Sequence, residues 1–455
     1  MRFEFIGELN SPVIFLRFFL QIFCTLLLIF FLSFSVQSDE AKNVWIPGWQ
    51  AESEMSIART GAAIVSHQNR IYMIGGVDGI NFLGTVESAK INPDGSLSAW
   101  RVVSKMPEPR GFMSATIYVN RLYVVGGGNG PYGKHLLNSI VSAPILKTGL
   151  LGEWRTETEK MLTPRRCSKV VVKNDVLHVF GGFGGALLDT VESSRFSKAG
   201  NLTPWAMQKN TMTMPRYVSE VKRVANYAMV IGGHHPSKGR GITDVEYADL
   251  NDVVMAWRTA PSMNVGRYAF ASAVHNSNVY AFGGISGAEY LDSIEKLSLI
   301  NNIESNKWSM STNLPESMAS FATLVVDGQV YLLGGSTRYK YMPNVWRASF
   351  NSAGDIGYYG TKQAFAQFSS SKRAAQAVGK LPNSGIVLER IKTDGYTYLR
   401  VSTAGKIIWL AAPELKVELN QKIHFSEGVY MSNFRSKTLN RNFAAILFVG
   451  SVAVD

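Results

Sequence analysis

The chain is 455 residues long and carries a formal net charge of +12, with 46% hydrophobic residues, 18% charged residues and 41 glycines. This composition excludes a disordered chain and is typical of a turn-rich globular β protein, and the length indicates two domains. The positive charge favours acidic partners or anionic surfaces.

The first element along the chain is an apolar segment. Residues 13–36 are almost wholly apolar, with Arg17 near their start and the polar residues 37–40 after them, which is the layout of an export signal cut near Ser38. Residues 18–36 are also nearly long enough to cross a bilayer, so an uncleaved anchor is the alternative. We therefore predict a signal peptide or membrane anchor at residues 1–38 and an exported chain, periplasmic or secreted.

A repeat of about fifty residues follows. Gly-Gly closes a short apolar run six times, with first glycines 51 or 55 residues apart, and a tryptophan lies 26 or 27 residues before each first glycine. The first glycines are Gly75, Gly126, Gly181, Gly232, Gly283 and Gly334. The tryptophans are Trp49, Trp100, Trp154, Trp205, Trp257 and Trp308. An arginine lies 16 residues before the first glycine in five of the repeats.

A third recurring piece lies between each diglycine and the next tryptophan. It alternates apolar and polar residues, as in LGTVESAKI from Leu83 and LDTVESSRF from Leu188. Each repeat therefore predicts four antiparallel strands: one after the arginine, one ending in Gly-Gly, the alternating piece, and an outermost strand that begins at the tryptophan.

This pattern resembles the kelch family, whose repeats form the blades of a β-propeller. The resemblance covers residues 45–360 and implies an all-β fold with a six-bladed propeller. An outer-strand sequence follows Trp49, but no complete repeat precedes it. We expect this N-terminal strand, and not the segment at Tyr358, to complete the sixth blade and to remove its free edge.

A second domain is predicted after the propeller. Residues 361–383 are rich in Ser, Ala and Lys and carry no repeat, which indicates a linker. Residues 384–455 contain about five short apolar runs separated by Gly or Pro, which predicts a small β-barrel of OB or SH3-like form. The segments 395–399, 409–413 and 436–441 resemble a small exported β domain found beside bacterial cytochrome and nitrite-reduction systems, and this implies a bacterial, periplasmic setting.

The end of the chain is basic. From residue 361 onward there are 13 Lys and Arg against 6 Asp and Glu, so we expect the C-terminal domain to contact an acidic partner or an anionic surface. Nucleic acid is disfavoured as its ligand because of the exported location. The chain has no Cys-x-x-Cys-His motif for attaching haem, and no cofactor is predicted.

The repeated arginines are the first candidate site. They are Arg59, Arg110, Arg165, Arg216 and Arg267, and Met318 takes the sixth place. The loop before the first strand opens on the same face of a propeller as the loop after Gly-Gly. The five guanidiniums are therefore expected to surround one mouth and to bind carboxylate, sulfate or phosphate groups. The alternative is that they brace the repeat itself, because a residue present in every blade suits a structural role.

Positions where the repeat breaks are the second candidate site. Lys169 and Glu220 lie four residues after the arginine on adjacent blades, where the other blades carry Ala or Ser. They form either an ion pair or an acid and base facing a ligand, and they are the candidate catalytic residues. His234 and His235 follow the fourth diglycine, but neighbours in an extended chain point in opposite directions, so no metal site is predicted. Cys167 stands at a place of small or apolar residues and is interpreted as part of the core.

Three functions remain open. The favoured one is a non-catalytic module that binds an anionic small molecule, a glycan or a protein at the propeller mouth, because the sequence shows no set of nucleophile, base and orienting residue. The second is an isomerase resembling the periplasmic sialic acid mutarotases, which are also six-bladed kelch propellers. The third is an assembly or interaction factor for an exported respiratory system.

Overall fold

The structure is a computed structural model. It describes residues 44–299, 303–304, 306–367, 369, 381, 383–393, 396–403, 405–413, 415–426, 428–436, 438–449 and 452–454. The predicted signal peptide or anchor at residues 1–38 lies outside the described residues, as does most of the second half of the predicted linker. The chain divides into two compact units at about Tyr359. Within the described ranges, no helix is long and apolar enough to cross a membrane.

Six antiparallel sheets, one per repeat, make up the first unit. The first strands of blades 1 to 6 are Ala63–His67, Ser114–Tyr118, Lys169–Lys173, Glu220–Val224, Ala271–His275 and Ala322–Val326. The second strands are Arg70–Ile74, Arg121–Val125, Val176–Phe183, Tyr227–Ile231, Asn278–Phe282 and Gln329–Leu333. The third strands are Thr85–Lys90, Ile140–Pro144, Leu187–Arg195, Val245–Asp249, Ile294–Ser298 and Val345–Phe350. The fourth strands of blades 1 to 5 are Arg101–Lys105, Arg155–Thr156, Ala206–Met207, Arg258–Ala260 and Trp308–Met310.

The first strands contact one another in a closed ring in which blade 6 meets blade 1. Side chains of one strand alternate between the two neighbouring blades: Val65 packs in the cluster with blade 2, whereas Ile64 packs in the cluster with blade 6. This is the two-residue period of a strand that is buried on both sides. The predicted all-β fold with a six-bladed propeller is confirmed.

The repeated aromatic residues join neighbouring blades. The indole N–H of Trp100 donates to the carbonyl of Ser53 at 3.0 Å, and that of Trp308 donates to Pro261 at 2.8 Å. The hydroxyl of the buried Tyr72 donates to the carbonyl of Gly149 in the next blade at 3.0 Å. These three rings therefore contribute apolar area while their polar tips are satisfied by backbone across the blade interface. The indole nitrogens of Trp205 and Trp257, by contrast, are buried without a hydrogen-bond partner.

The sixth blade closes the ring with help from both ends of the propeller sequence. Gln50–Ala51 pairs with the third strand through Arg347 and Trp346, so the prediction of an N-terminal fourth strand is confirmed. The exclusion of the segment at Tyr358 was wrong, because Ile356–Gly360 pairs with the far end of the same third strand and Val44–Pro47 pairs with Ile356–Gly360 in turn. A tight turn makes this second hairpin, since Asn351 Oδ1 accepts the backbone N–H groups of Ala353 and Asp355.

The second unit begins with a helical turn at residues 362–367 inside the predicted linker, capped by Thr361, whose hydroxyl accepts the N–H of Ala364. Seven strands follow it, where about five were expected. They are Asn383–Thr393, Tyr396–Thr403, Lys406–Pro413, Lys422–Phe425, Gly428–Ser436, Arg441–Val449 and Val452–Val454. They form one sheet with edge strands Gly428–Ser436 and Val452–Val454. An OB or SH3-like barrel remains a prediction for this unit.

Candidate functional site

The five repeated arginines lie inside the blades. All five are 0% exposed. The guanidinium of Arg267 donates to the carbonyls of Gly283 at 2.8 Å and Ser293 at 3.0 Å, which directly follow the second strand and precede the third strand of its own blade. Arg59, Arg165 and Arg216 make the same pair of backbone contacts. Each arginine thus ties the loop that enters a blade to the diglycine turn.

A buried carboxylate on the third strand completes the brace in blades 1, 3, 4 and 5, and it was not predicted from the sequence. Arg267 pairs with Glu295 at 2.7 Å and Arg216 with Glu246 at 2.7 Å, while Arg59 and Arg165 pair with Glu87 and Glu192. Each of these carboxylates also accepts a backbone N–H from the entering loop, such as that of Asn264 on Glu295 at 2.7 Å. The sequence signal that could have predicted these carboxylates was the glutamate of the recurring Val-Glu-Ser piece.

Blades 2 and 6, which depart from this pattern, support a structural role for the repeated arginines. In blade 6 the arginine place holds Met318 and the glutamate place holds Trp346, so both members of the pair are replaced together. In blade 2 the glutamate place holds Val141, and Arg110 pairs instead with Glu108 at 2.8 Å. The expectation that Arg59, Arg110, Arg165, Arg216 and Arg267 bind a ligand at the mouth is therefore corrected: their side chains are buried and directed into the blades, away from the mouth.

Five backbone hydrogen bonds link six residues around the hub of the propeller, one from each blade, two residues after the arginine position. The six residues are Gly61, Phe112, Cys167, Val218, Ala269 and Ser320, each with φ between 48° and 58°. The N–H of Phe112 donates to Gly61, that of Cys167 to Phe112 and that of Ser320 to Ala269, each at 2.7 Å. Five of the six residues hold a left-handed backbone without being glycine, which requires support from surrounding structure.

The hub corrects the interpretation of Cys167 as core. Cys167 is half-buried and lines the central channel, and burial raises the pKa of its thiol to about 11. Phe112 fills the space that Gly61 leaves, because a Cβ at Gly61 would lie 2.6 Å from the Phe112 ring. The hub therefore narrows the channel.

The channel itself has little free volume. Two cavities of about 70 and 140 Å³ lie along the channel, and Lys169 and Glu220 line both of them. Pockets for small organic ligands usually measure about 300–1,000 Å³. The channel interior has room for water or a small ion, and a glycan does not fit in it.

Lys169 and Glu220 do come together, as an ion pair on the channel wall. Lys169 Nζ lies 2.5 Å from Glu220 Oε1, and Lys222 Nζ lies 3.1 Å from Oε2, which also accepts the hydroxyl of Ser272 at 2.9 Å. Burial alone would raise the pKa of Glu220, but the two lysines outweigh it and lower this pKa. Glu220 is thus an ionised carboxylate that links blades 3, 4 and 5, and a catalytic role for the pair stays a prediction.

His234 lies in a row of aromatic side chains, between Tyr217 and Tyr268. Its ring lies 5.4 Å from that of Tyr217 and 5.0 Å from that of Tyr268, in edge-to-face contacts. His235 instead contacts Ser237, at 2.7 Å from its hydroxyl. In the part of the chain that the structure describes, no group of three or more His, Cys, Asp or Glu side chains is arranged to hold a metal ion.

His178 takes the place at which four other blades carry a tyrosine such as Tyr72, and its burial predicts a pH dependence of stability. Both ring nitrogens are buried without a partner, and burial lowers the pKa to about 4. The unfolded state binds a proton below about pH 6.5 and the folded state only below about 4. Stability should therefore be complete above pH 6.5 and fall by about 3 kcal/mol as the pH drops to 4. Urea unfolding against pH checks this. His178→Met, the residue of blade 4, should remove that slope, and an unchanged slope would contradict it.

An exposed apolar patch lies on the face of the propeller that carries the loops between second and third strands, which we call the upper face. Ile80 is 90% exposed, Tyr132 89% and Tyr339 84%, and they belong to the loops of blades 1, 2 and 6. These loops touch. A Cβ at Gly79 would lie 2.9 Å from the ring of Tyr341, and one at Gly133 would lie 3.2 Å from Phe82. Ile80, Tyr132, Tyr339 and Tyr341 are called the upper-face patch below.

The rim of the upper-face patch is basic. Lys134, Arg338 and Lys340 are all exposed beside the tyrosines, and Lys134 Nζ lies 6.0 Å from the centre of the Tyr132 ring. The one carboxylate in the blade 1 loop, that of Asp78, is used within its own turn, where it accepts the N–H groups of Ile80 and Asn81. The patch thus joins aromatic and apolar tips with positive charge.

Comparison with known proteins agrees with the repeat. A kelch motif model matches residues 58–88 and 266–315. The chain is 25% identical to beta-scruin of Limulus polyphemus over 245 residues, which is 52% of this chain and 26% of that protein. It is 30% identical to human Kelch-like protein 38 over 107 residues, which is 23% of this chain and 18% of that protein. The chain therefore spans about a quarter or less of the length of these curated relatives.

A solved structure shows the same architecture. The structure of YjhT superposes with a TM-score of 0.55 at 14% identity and covers 67% of this chain and 98% of its own. With the motif matches, the four-stranded blades and the closed ring, this defines the class of the protein as an all-β propeller built from kelch repeats.

Proposed function

We propose that this chain is a non-catalytic binding module that holds a protein partner on its upper face. The observation that carries the proposal is the upper-face patch, in which Ile80, Tyr132 and Tyr339 present nearly their whole side chains to solvent on touching loops. Large exposed apolar and aromatic side chains that cluster in this way are typical of protein interfaces.

The matched partner surface would be apolar at its centre and acidic around it. Tyrosine rings supply contact area at low entropic cost, and the charges of Lys134, Arg338 and Lys340 would select an acidic rim and speed association. The likeness to kelch-repeat proteins, such as human Kelch-like protein 38, supports a binding role in general. An exported setting, which residues 13–36 favour, would make this partner another exported protein.

Site-specific crosslinking tests the proposal. A photoreactive benzoylphenylalanine is placed at Tyr339 or, as the control, at Val253, which is 91% exposed on the opposite face. In the cells that make this protein, we expect a discrete protein adduct from position 339 and none from position 253. The adduct should be weakened by Tyr132→Ser, which removes a neighbouring ring. Equal labelling from both positions, or an adduct that forms equally well in the Tyr132→Ser variant, would contradict the proposal.

A further inference from the structure

The charges of the central channel do not balance. Among the residues that line its two cavities, the charged ones are Lys169, Glu220 and Lys222, which leaves one positive charge in excess. One lysine would neutralise Glu220, so the second has no counter-charge on the described channel wall. At the place of Lys222 the other five blades carry Val65, Thr116, Val171, Ala273 and Leu324, none of them charged.

The two ammonium groups also keep unused donors. Each lysine has three N–H donors, and the structure gives each one contact, the bond to Glu220. Both oxygens of Glu220 are already taken by the two lysines and by Ser272. Because the side chains of Lys169 and Lys222 are 36% and 30% exposed, their free donors face the solvent of the channel.

The cavity beside the two lysines has the size of one small anion. It measures about 140 Å³. The hydroxyls of Ser114 and Thr323, which also line it, already donate to the carbonyls of Ser168 and Tyr331, so the lysines are the donors available to an anion. A tetrahedral oxyanion fits within this volume, which lies below the usual range for pockets that bind small organic ligands. Positive charge on a narrow, low-dielectric wall concentrates anions and strengthens each charge-assisted hydrogen bond.

We propose that the central channel binds one inorganic oxyanion, of the size of sulfate or phosphate, between Lys169 and Lys222. The anion would accept the free lysine donors and bring the channel to about neutrality. This site lies within the ring of first strands and is separate from the upper-face patch and from the buried arginines. It would add a link between blades 3 and 4 that depends on the anion.

Calorimetric titration of the full chain with sulfate tests the site. Lys222→Met should weaken binding at least about tenfold, the scale of one hydrogen bond between charged groups. Glu220→Gln should tighten binding, because it removes the negative charge while leaving both lysines. Lys238→Met is the control, since Lys238 pairs with Asp244 at 3.4 Å outside the channel, and it should leave binding unchanged.

Crystals soaked in selenate give the second readout, which does not depend on the stability of a variant. An anomalous selenium peak between Lys169 and Lys222 is expected. Selenate found only on the outer surface would overturn the proposal. Sulfate affinity that is the same in Lys222→Met, Glu220→Gln and Lys238→Met would also overturn it.

Discussion

Arg267→Met is expected to lower the free energy of unfolding by about 3–5 kcal/mol, because it leaves the buried carboxylate of Glu295 without its counter-charge. Urea denaturation measures the change. Methionine is the residue that blade 6 carries at this place, so the substitution is compatible with the backbone. Arg101→Met, on an exposed outer strand, is the control and should change stability by less than about 0.5 kcal/mol.

Replacing Glu295, the partner of Arg267, tests whether Arg267 is a structural brace or part of a ligand site. Glu295→Val copies blade 2, which has Val141 at this place. Because each single variant leaves one buried charge unpaired, the double variant should lose less than the sum of the two singles, by about 2 kcal/mol. If Arg267→Met changes stability no more than Arg101→Met does, the arginine is not a brace and the ligand-binding interpretation returns.

Removing residues 1–52 is expected to cost at least about 4 kcal/mol of stability relative to a chain that begins at residue 44. The longer chain keeps Val44–Pro47 and Gln50–Ala51, with the fully buried Ile46. It also keeps Glu52, which pairs with Arg347 at 2.6 Å in the sixth blade. Loss of the apolar burial and of one member of a buried ion pair both contribute to the cost.

The comparison of these two chains tests the closure of the ring. The chain that begins at residue 53 should unfold at lower urea concentration and elute as larger species in size-exclusion chromatography, since the free edge of Val345–Phe350 invites association. A chain from residue 53 that is as stable and as monomeric as the chain from residue 44 would show that Ile356–Gly360 alone completes the blade.

The sequence predicted the propeller well because its strongest signals are local and repeated. Each diglycine needs a backbone that other residues avoid. Gly75 has φ of 56°, and a Cβ there would lie 2.5 Å from the carbonyl oxygen of Arg110. The tryptophans mark outer strands because their rings are buried or half-buried between blades. Position within the repeat therefore gave strand order and blade number directly.

The direction of the arginine side chains was not predicted, because loop position does not say whether a side chain points to the mouth or into the blade. The glutamate of the Val-Glu-Ser piece could have predicted that direction. The repeated arginine and the repeated glutamate are both absent from blade 6, which indicates that they form a pair. Lys222 was overlooked although it breaks the repeat in one blade, and the signal that selected Lys169 and Glu220 could have found it. Tyr132 and Tyr339 were overlooked because they lie in loops whose sequences differ from blade to blade.

The ring closure was predicted in part for a similar reason. Trp49 carries the repeat signature, so its strand could be placed. Ile356–Gly360 lacks the signature and is held by a local turn and by burial of Ile356, neither of which the repeat encodes. In the C-terminal unit short strands without a repeat gave only an approximate strand count.

The crosslink from position 339, measured in two altered chains, tests the central claim most directly: that binding resides in the upper-face patch and that the arginines serve the fold. The double variant Arg267→Met with Glu295→Val should keep the adduct, because it changes the interior of blade 5 and leaves the patch intact. Tyr132→Ser should weaken the adduct while leaving urea stability unchanged. An adduct lost in the folded double variant and retained in Tyr132→Ser would contradict the account.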